Sequence, residues 1–155
     1  MTLNKSKQRL YASLLMLGAG ILLFRTIMML YQGALEILVL WVSALLIFEL
    51  LIDLSCLISS ARWWIANDKD KSLLALRLGA AAAIFHAFRV LIFVMGRFEP
   101  WLDFDVRPEQ RALHHTHWSW EGVYFAAIMS ILGVIGVIVI WRLSIRAKKM
   151  KHEQN

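Results

Sequence analysis

Apolar residues fall into four long runs along this chain, parted by stretches in which charge collects. The runs extend over about 11–31, 34–58, 73–95 and 123–141. At ~1.5 Å per residue, each is long enough to cross the ~30 Å hydrocarbon layer of a bilayer. In lipid every backbone amide and carbonyl must find its partner within the segment, so the runs predict helices and not open strands. A tight turn at Gln32-Gly33 separates the first two runs, and the polar stretch Arg62–Lys71 separates the second from the third. Residues 97–121 form a long outer loop, and residues 142–155 a basic tail. The expected fold is all-α: one polytopic membrane domain, 1–155, arranged as an antiparallel four-helix transmembrane bundle.

Lys5, Lys7 and Arg9 precede the first run, as basic residues precede a signal peptide. Its apolar length of ~20 residues exceeds the ~7–15 of a cleaved signal, and no small-x-small site closes it, so it reads as a retained span.

Composition fits this pattern. Of the 155 residues, 59% are hydrophobic and the mean hydropathy is +0.60, against roughly 45–50% apolar in soluble domains. The net charge of +6 and pI near 9.8 do not point to nucleic acid, because the cations sit at the ends of apolar runs, where they set topology. Lys5, Lys7, Arg9, Arg62, Lys69, Lys71, Arg142, Arg146, Lys148, Lys149 and Lys151 fall on one side. The other side holds Arg97, Arg107 and Arg111 beside Glu99, Asp103, Asp105, Glu109 and Glu121. The positive-inside rule then places both termini in the cytoplasm of a cell-membrane (inner-membrane) multi-pass protein. Tyr11, Trp63, Trp64 and Trp141 would mark the inner interface, and Tyr31, Trp101, Trp118 and Trp120 the outer one. Cys56, the single cysteine, has no internal disulfide partner.

Ionisable residues inside the runs carry the most information: Arg25, Glu49, Asp53, His86 and Arg89, with Arg77 nearer an end. On insertion scales a mid-span Arg or Asp costs about 2.5–3.5 kcal/mol, while each Leu, Ile, Phe or Val returns about 0.3–0.6 kcal/mol. The third run, with Arg77, His86 and Arg89, therefore needs acidic partners. The second run supplies them, because Glu49 and Asp53 share a helical face that continues through Cys56 and Ser60. Gly79, Ala82, His86 and Arg89 share a face of the third, where small residues permit close approach. Matching depths from the run ends places Asp53 level with Arg77 and leaves Glu49 within reach of Arg25. Such residues either pair to hold the helices together, or line a polar path through Glu49, Asp53, Arg25 and Arg89.

In the outer loop, Pro108 and Glu109 suit the start of a short helix reaching about Trp118. His114 and His117 would project together from it and could ligate zinc or copper, with Asp103, Asp105 or Glu121 completing the shell. The bland alternative is an interfacial, pH-sensitive patch. His86 as a haem ligand would need a second inward histidine, which no other run contains.

The acid-bearing second run, followed by Arg77 and then Arg89 leading into Val90-Leu91-Ile92, resembles the phosphate-starvation-inducible family of small four-span bacterial proteins over part of the chain. The histidine-bearing outer loop departs from that pattern, and no function follows from the likeness. With no catalytic signature in the sequence, the leading expectation is a non-enzymatic accessory or assembly component, in contact with lipid and with a larger membrane complex or further copies of itself. A small transporter or channel, and a metal-binding activity at the outer histidines, are the alternatives.

Overall fold

The computed structural model describes residues 5–66 and 69–112, with isolated helical positions between Tyr124 and Arg142. Three helices of 27 residues dominate: α1 (Lys5–Tyr31), α3 (Leu40–Ala66) and α4 (Lys69–Met95). A single turn, α2 (Ala34–Ile37), lies between α1 and α3, and a 3-10 turn covers Pro108–Gln110. The segments Gln8–Tyr31, Leu40–Ala66 and Asp70–Met95 are each long and apolar enough to cross a membrane. The fourth expected span, 123–141, falls largely outside the described residues.

The helix boundaries differ from the sequence expectation. The run 34–58 is not one helix, because the chain is extended at Leu38 between α2 and α3. The backbone groups freed there are taken up by the outer segment. Val39 N–H donates to the Asp105 carbonyl (3.0 Å), Arg107 N–H donates to the Ile37 carbonyl (2.9 Å), and Leu38 bridges Val106. At the other end α3 continues past Ile58 to Ala66, and α4 begins at Lys69 rather than Leu73. The stretch Arg62–Lys71 is polar but contains no Gly or Pro, so charge ends the apolar run without ending the helix. Before α2, the turn does require glycine: Gly33 has φ 81, a left-handed conformation in which a Cβ would be strained.

Helix α3 packs against both α1 and α4, which touch each other less. Near its end Trp63 joins Ala12 of α1 and Ala75 of α4 in one buried cluster, with Arg9 stacked 5.4 Å over the neighbouring Trp64 ring. Midway, Glu49 and Asp53 meet Arg89 and His86. Numbers thus rise along α3 as they fall along α4. The interior is rich in small and polar side chains, with Ala12, Ala19, Thr26, Ser43, Glu49, Asp53, Ser60, Ala75, Ala82, His86 and Arg89 buried beside larger ones such as Leu46 and Trp63. The exterior carries the bulk, including Leu17, Phe24, Phe48, Leu51, Ile84 and Leu91. Large side chains outside and polar ones inside reverse the arrangement of a water-soluble domain.

The segment after α4 folds back as a cap. The guanidinium of Arg97 is buried over the Phe93 ring at 4.2 Å and bonds Asp105 Oδ1 (3.2 Å), with Asp103 Oδ1 at 3.8 Å. Arg107 reaches back to the carbonyls of Leu38 and Leu35, each at 2.9 Å. The helix expected from Pro108 to Trp118 begins as the 3-10 turn followed by helical Arg111 and Ala112; the rest lies outside the described residues.

Candidate functional site: an intramembrane charge network

The site is built on one stripe of α3. Ser43, Leu46, Glu49, Asp53, Cys56 and Ser60 recur every three or four residues, and all are buried. This is the expected face, extended toward the start of α3 by Ser43 and Leu46. Glu49 and Asp53 are fully buried, and both turn an oxygen toward α4. Glu49 Oε2 pairs with Arg89 Nε and lies 3.5 Å from His86 Nδ1. Asp53 Oδ2 lies 2.9 Å from His86 Nε2. Gly79 and Ala82 are buried on the same face of α4 as His86 and Arg89.

Arg89 completes the connection. Its NH2 group lies 3.4 Å from His86 Nδ1, and its NH1 group reaches Met29 Sδ of α1 at 3.5 Å. A guanidinium can only donate, so a bond to Nδ1 requires that nitrogen to be unprotonated. In the tautomer that satisfies this contact the ring proton sits on Nε2, facing Asp53 Oδ2. From α1, Arg25 is half-buried and interacts electrostatically with both Glu49 and Arg89. The second oxygen of each acid, Glu49 Oε1 and Asp53 Oδ1, is buried without a hydrogen-bond partner, as is Thr26 Oγ1 of α1. Further along the stripe, Cys56 Sγ and Ser60 Oγ are 4.0 Å apart.

Five of the six expected intramembrane residues are therefore gathered: Arg25, Glu49, Asp53, His86 and Arg89. Arg77 is not among them. It is exposed, and Asp53 takes His86 instead. The depth match fails because it was measured from Ile58, whereas α3 ends at Ala66. With Trp63 packed against Ala75, Arg77 sits at the level of Ala61 and Arg62 of α3. Trp63, expected at the inner interface, is buried in the helix contact, while Trp64 is exposed.

His114 and His117 lie outside the described residues, so the zinc or copper site they would form has no geometry to assess. Two of the acids expected to complete it, Asp103 and Asp105, are buried against Arg97. Among the described residues no group of three or more His, Cys, Asp or Glu side chains could hold a metal. Sequence reasoning missed the Arg97–Asp103–Asp105 cap. Its advance signal was Arg97, just past the third run, followed by Asp103 and Asp105 six and eight positions on. Comparison of the chain with known protein families, curated proteins and solved structures finds no match.

Proposed function

We propose that this chain is a small, non-enzymatic integral membrane protein whose internal charge network holds an antiparallel four-helix transmembrane bundle together, and that it serves as an accessory or assembly component. Both termini lie in the cytoplasm, by the distribution of Lys and Arg. One observation carries the reading: buried acids of α3 meet a buried guanidinium and imidazole of α4, while the large apolar side chains face outward. Bonds between ionised groups in lipid have few competitors, so they fix which helix faces which. The outward apolar surface then serves lipid, a larger membrane partner or a second copy. Purification in mild detergent, followed by native mass spectrometry, tests the role. Co-purification of a defined membrane partner or a defined homo-oligomer is expected; a monodisperse monomer that retains no partner overturns it.

A second reading is favoured by the unpartnered oxygens of Glu49 and Asp53. On this reading Glu49, Asp53, Arg25 and Arg89 line a polar path, and the protein is a small transporter or channel. Solute flux into vesicles containing the purified protein distinguishes it, since a purely structural network leaves them as tight as empty ones.

A further inference from the structure

The second reading leaves the transported species open, and the bonding around His86 narrows it. We propose that Glu49, His86 and Asp53 form a proton relay, with the imidazole passing a proton from one buried carboxyl to the other. The inference rests on the polar-path reading and names what that path carries.

Three observations support it. First, His86 is the link between the two acids: Nδ1 is 3.5 Å from Glu49 Oε2 and Nε2 is 2.9 Å from Asp53 Oδ2. A neutral imidazole accepts at one nitrogen while donating at the other, which is what a relay requires. Second, each acid has a second oxygen that is buried and unpartnered, and that is where a proton can reside. Third, α3 and α4 alone do not balance in charge. Two ionised carboxylates beside one guanidinium and a neutral imidazole leave one net negative charge buried among the helices. Either an added proton or the Arg25 guanidinium of α1 neutralises it. Among the described residues, α1 brings Arg25, α3 brings Glu49 and Asp53 with Cys56 one turn on, and α4 brings Arg89. The run 123–141 contains no Asp, Glu, Lys, Arg or His.

The step balances. A proton taken up on Glu49 Oε1 is presented to Nδ1 as the carboxyl turns. The Nδ1–H bond forms as the Nε2–H bond breaks, and the released proton passes to Asp53 Oδ2. The imidazole is neutral before and after, with its tautomer exchanged. Glu49 ends ionised against Arg89, and Asp53 ends neutral. The starting tautomer returns only by a second transfer, in which the Nδ1–H proton is given up and Nε2 takes one up. Beyond Asp53 the buried stripe continues through Cys56 and Ser60 toward Trp63, whose indole N–H is buried and unpartnered. In the other direction Leu46, fully buried, interrupts it.

The test uses the full chain reconstituted into vesicles of phosphatidylcholine and phosphatidylglycerol. A pH-sensitive dye is enclosed, and a potassium diffusion potential is imposed with valinomycin. Acidification at least about tenfold faster than in protein-free vesicles is expected, in keeping with the ~10²–10⁴-fold effect of a positioned proton-transfer group. His86→Gln can still bond Asp53 but cannot carry the proton, and should return the rate to that of protein-free vesicles. Asp53→Asn should do the same, and decides the matter if His86→Gln fails to give native helical content and elution. Wild-type rates equal to protein-free vesicles overturn the relay, as do rates unchanged in the folded variants. Flux of sodium or chloride without protons would sink the relay while leaving the polar path standing. No flux of any species would remove both.

Discussion

Removing one member of the Glu49–Arg89 pair leaves the other buried in a place where water cannot reach it. Glu49→Gln is therefore expected to destabilise the protein by about 3–5 kcal/mol, the usual penalty for stranding a buried charge. Arg89→Met in the same background should recover much of that loss, because neither charge then remains. Denaturation in mixed micelles reads both, and strictly additive losses would show that the two side chains do not act as a pair. Gly96 offers a second test. A Cβ at this position would come within 3.0 Å of Asp105 Cγ, the carboxyl that holds Arg97. Gly96→Ala should cost about 1–3 kcal/mol, as overpacking does, and a stability equal to wild type would place Asp105 elsewhere. The facing of Glu49 and Asp53 was legible from their spacing, since residues four apart share a helical face. The partners were half legible. His86 and Arg89 could be set on one face of the third run, but which cation meets which acid depends on where the helices end.

Helix ends were the least legible feature, for two separate physical reasons. Apolar character stops at Ile58, yet nothing in Arg62-Trp63-Trp64 opposes helix, so α3 continues. Conversely, the run from Ala34 gives no local warning of a break at Leu38, because the groups that stabilise the break arrive from Asp105, Val106 and Arg107 much later in the chain. Arg107 should matter most there. Its two bonds to the carbonyls of Leu35 and Leu38 are charge-assisted, at about 1.5–3 kcal/mol each. Arg107→Ala should therefore speed hydrogen exchange at the Val39 amide, whose bond to Asp105 it helps to hold. Unchanged protection would mean that α2 and α3 keep their break without the cap.

At the scale of the molecule, three spans were legible as spans, because length and apolarity alone decide whether a helix can cross. Their lateral order was legible in part, because the acids of the second run called for the cations of the third and for Arg25 of the first, and α3 does sit between the two. Orientation remains a matter of charge. Cysteines placed at Lys71 and at Glu99 should react with a membrane-impermeant thiol reagent from opposite faces, that at Lys71 only from the cytoplasmic side. Labelling of both from one face would contradict the proposed topology.

The outward-facing Arg77 has a consequence for the surrounding lipid. Its guanidinium belongs among phosphates, so the acyl region along α4 can span only Leu78 to Met95, about 27 Å at ~1.5 Å per residue. That is slightly less than an average bilayer core, and hydrophobic mismatch costs a fraction of a kcal/mol per Å. Short-chain phospholipids should suit this protein better than long-chain ones, with Arg77→Leu relaxing the preference.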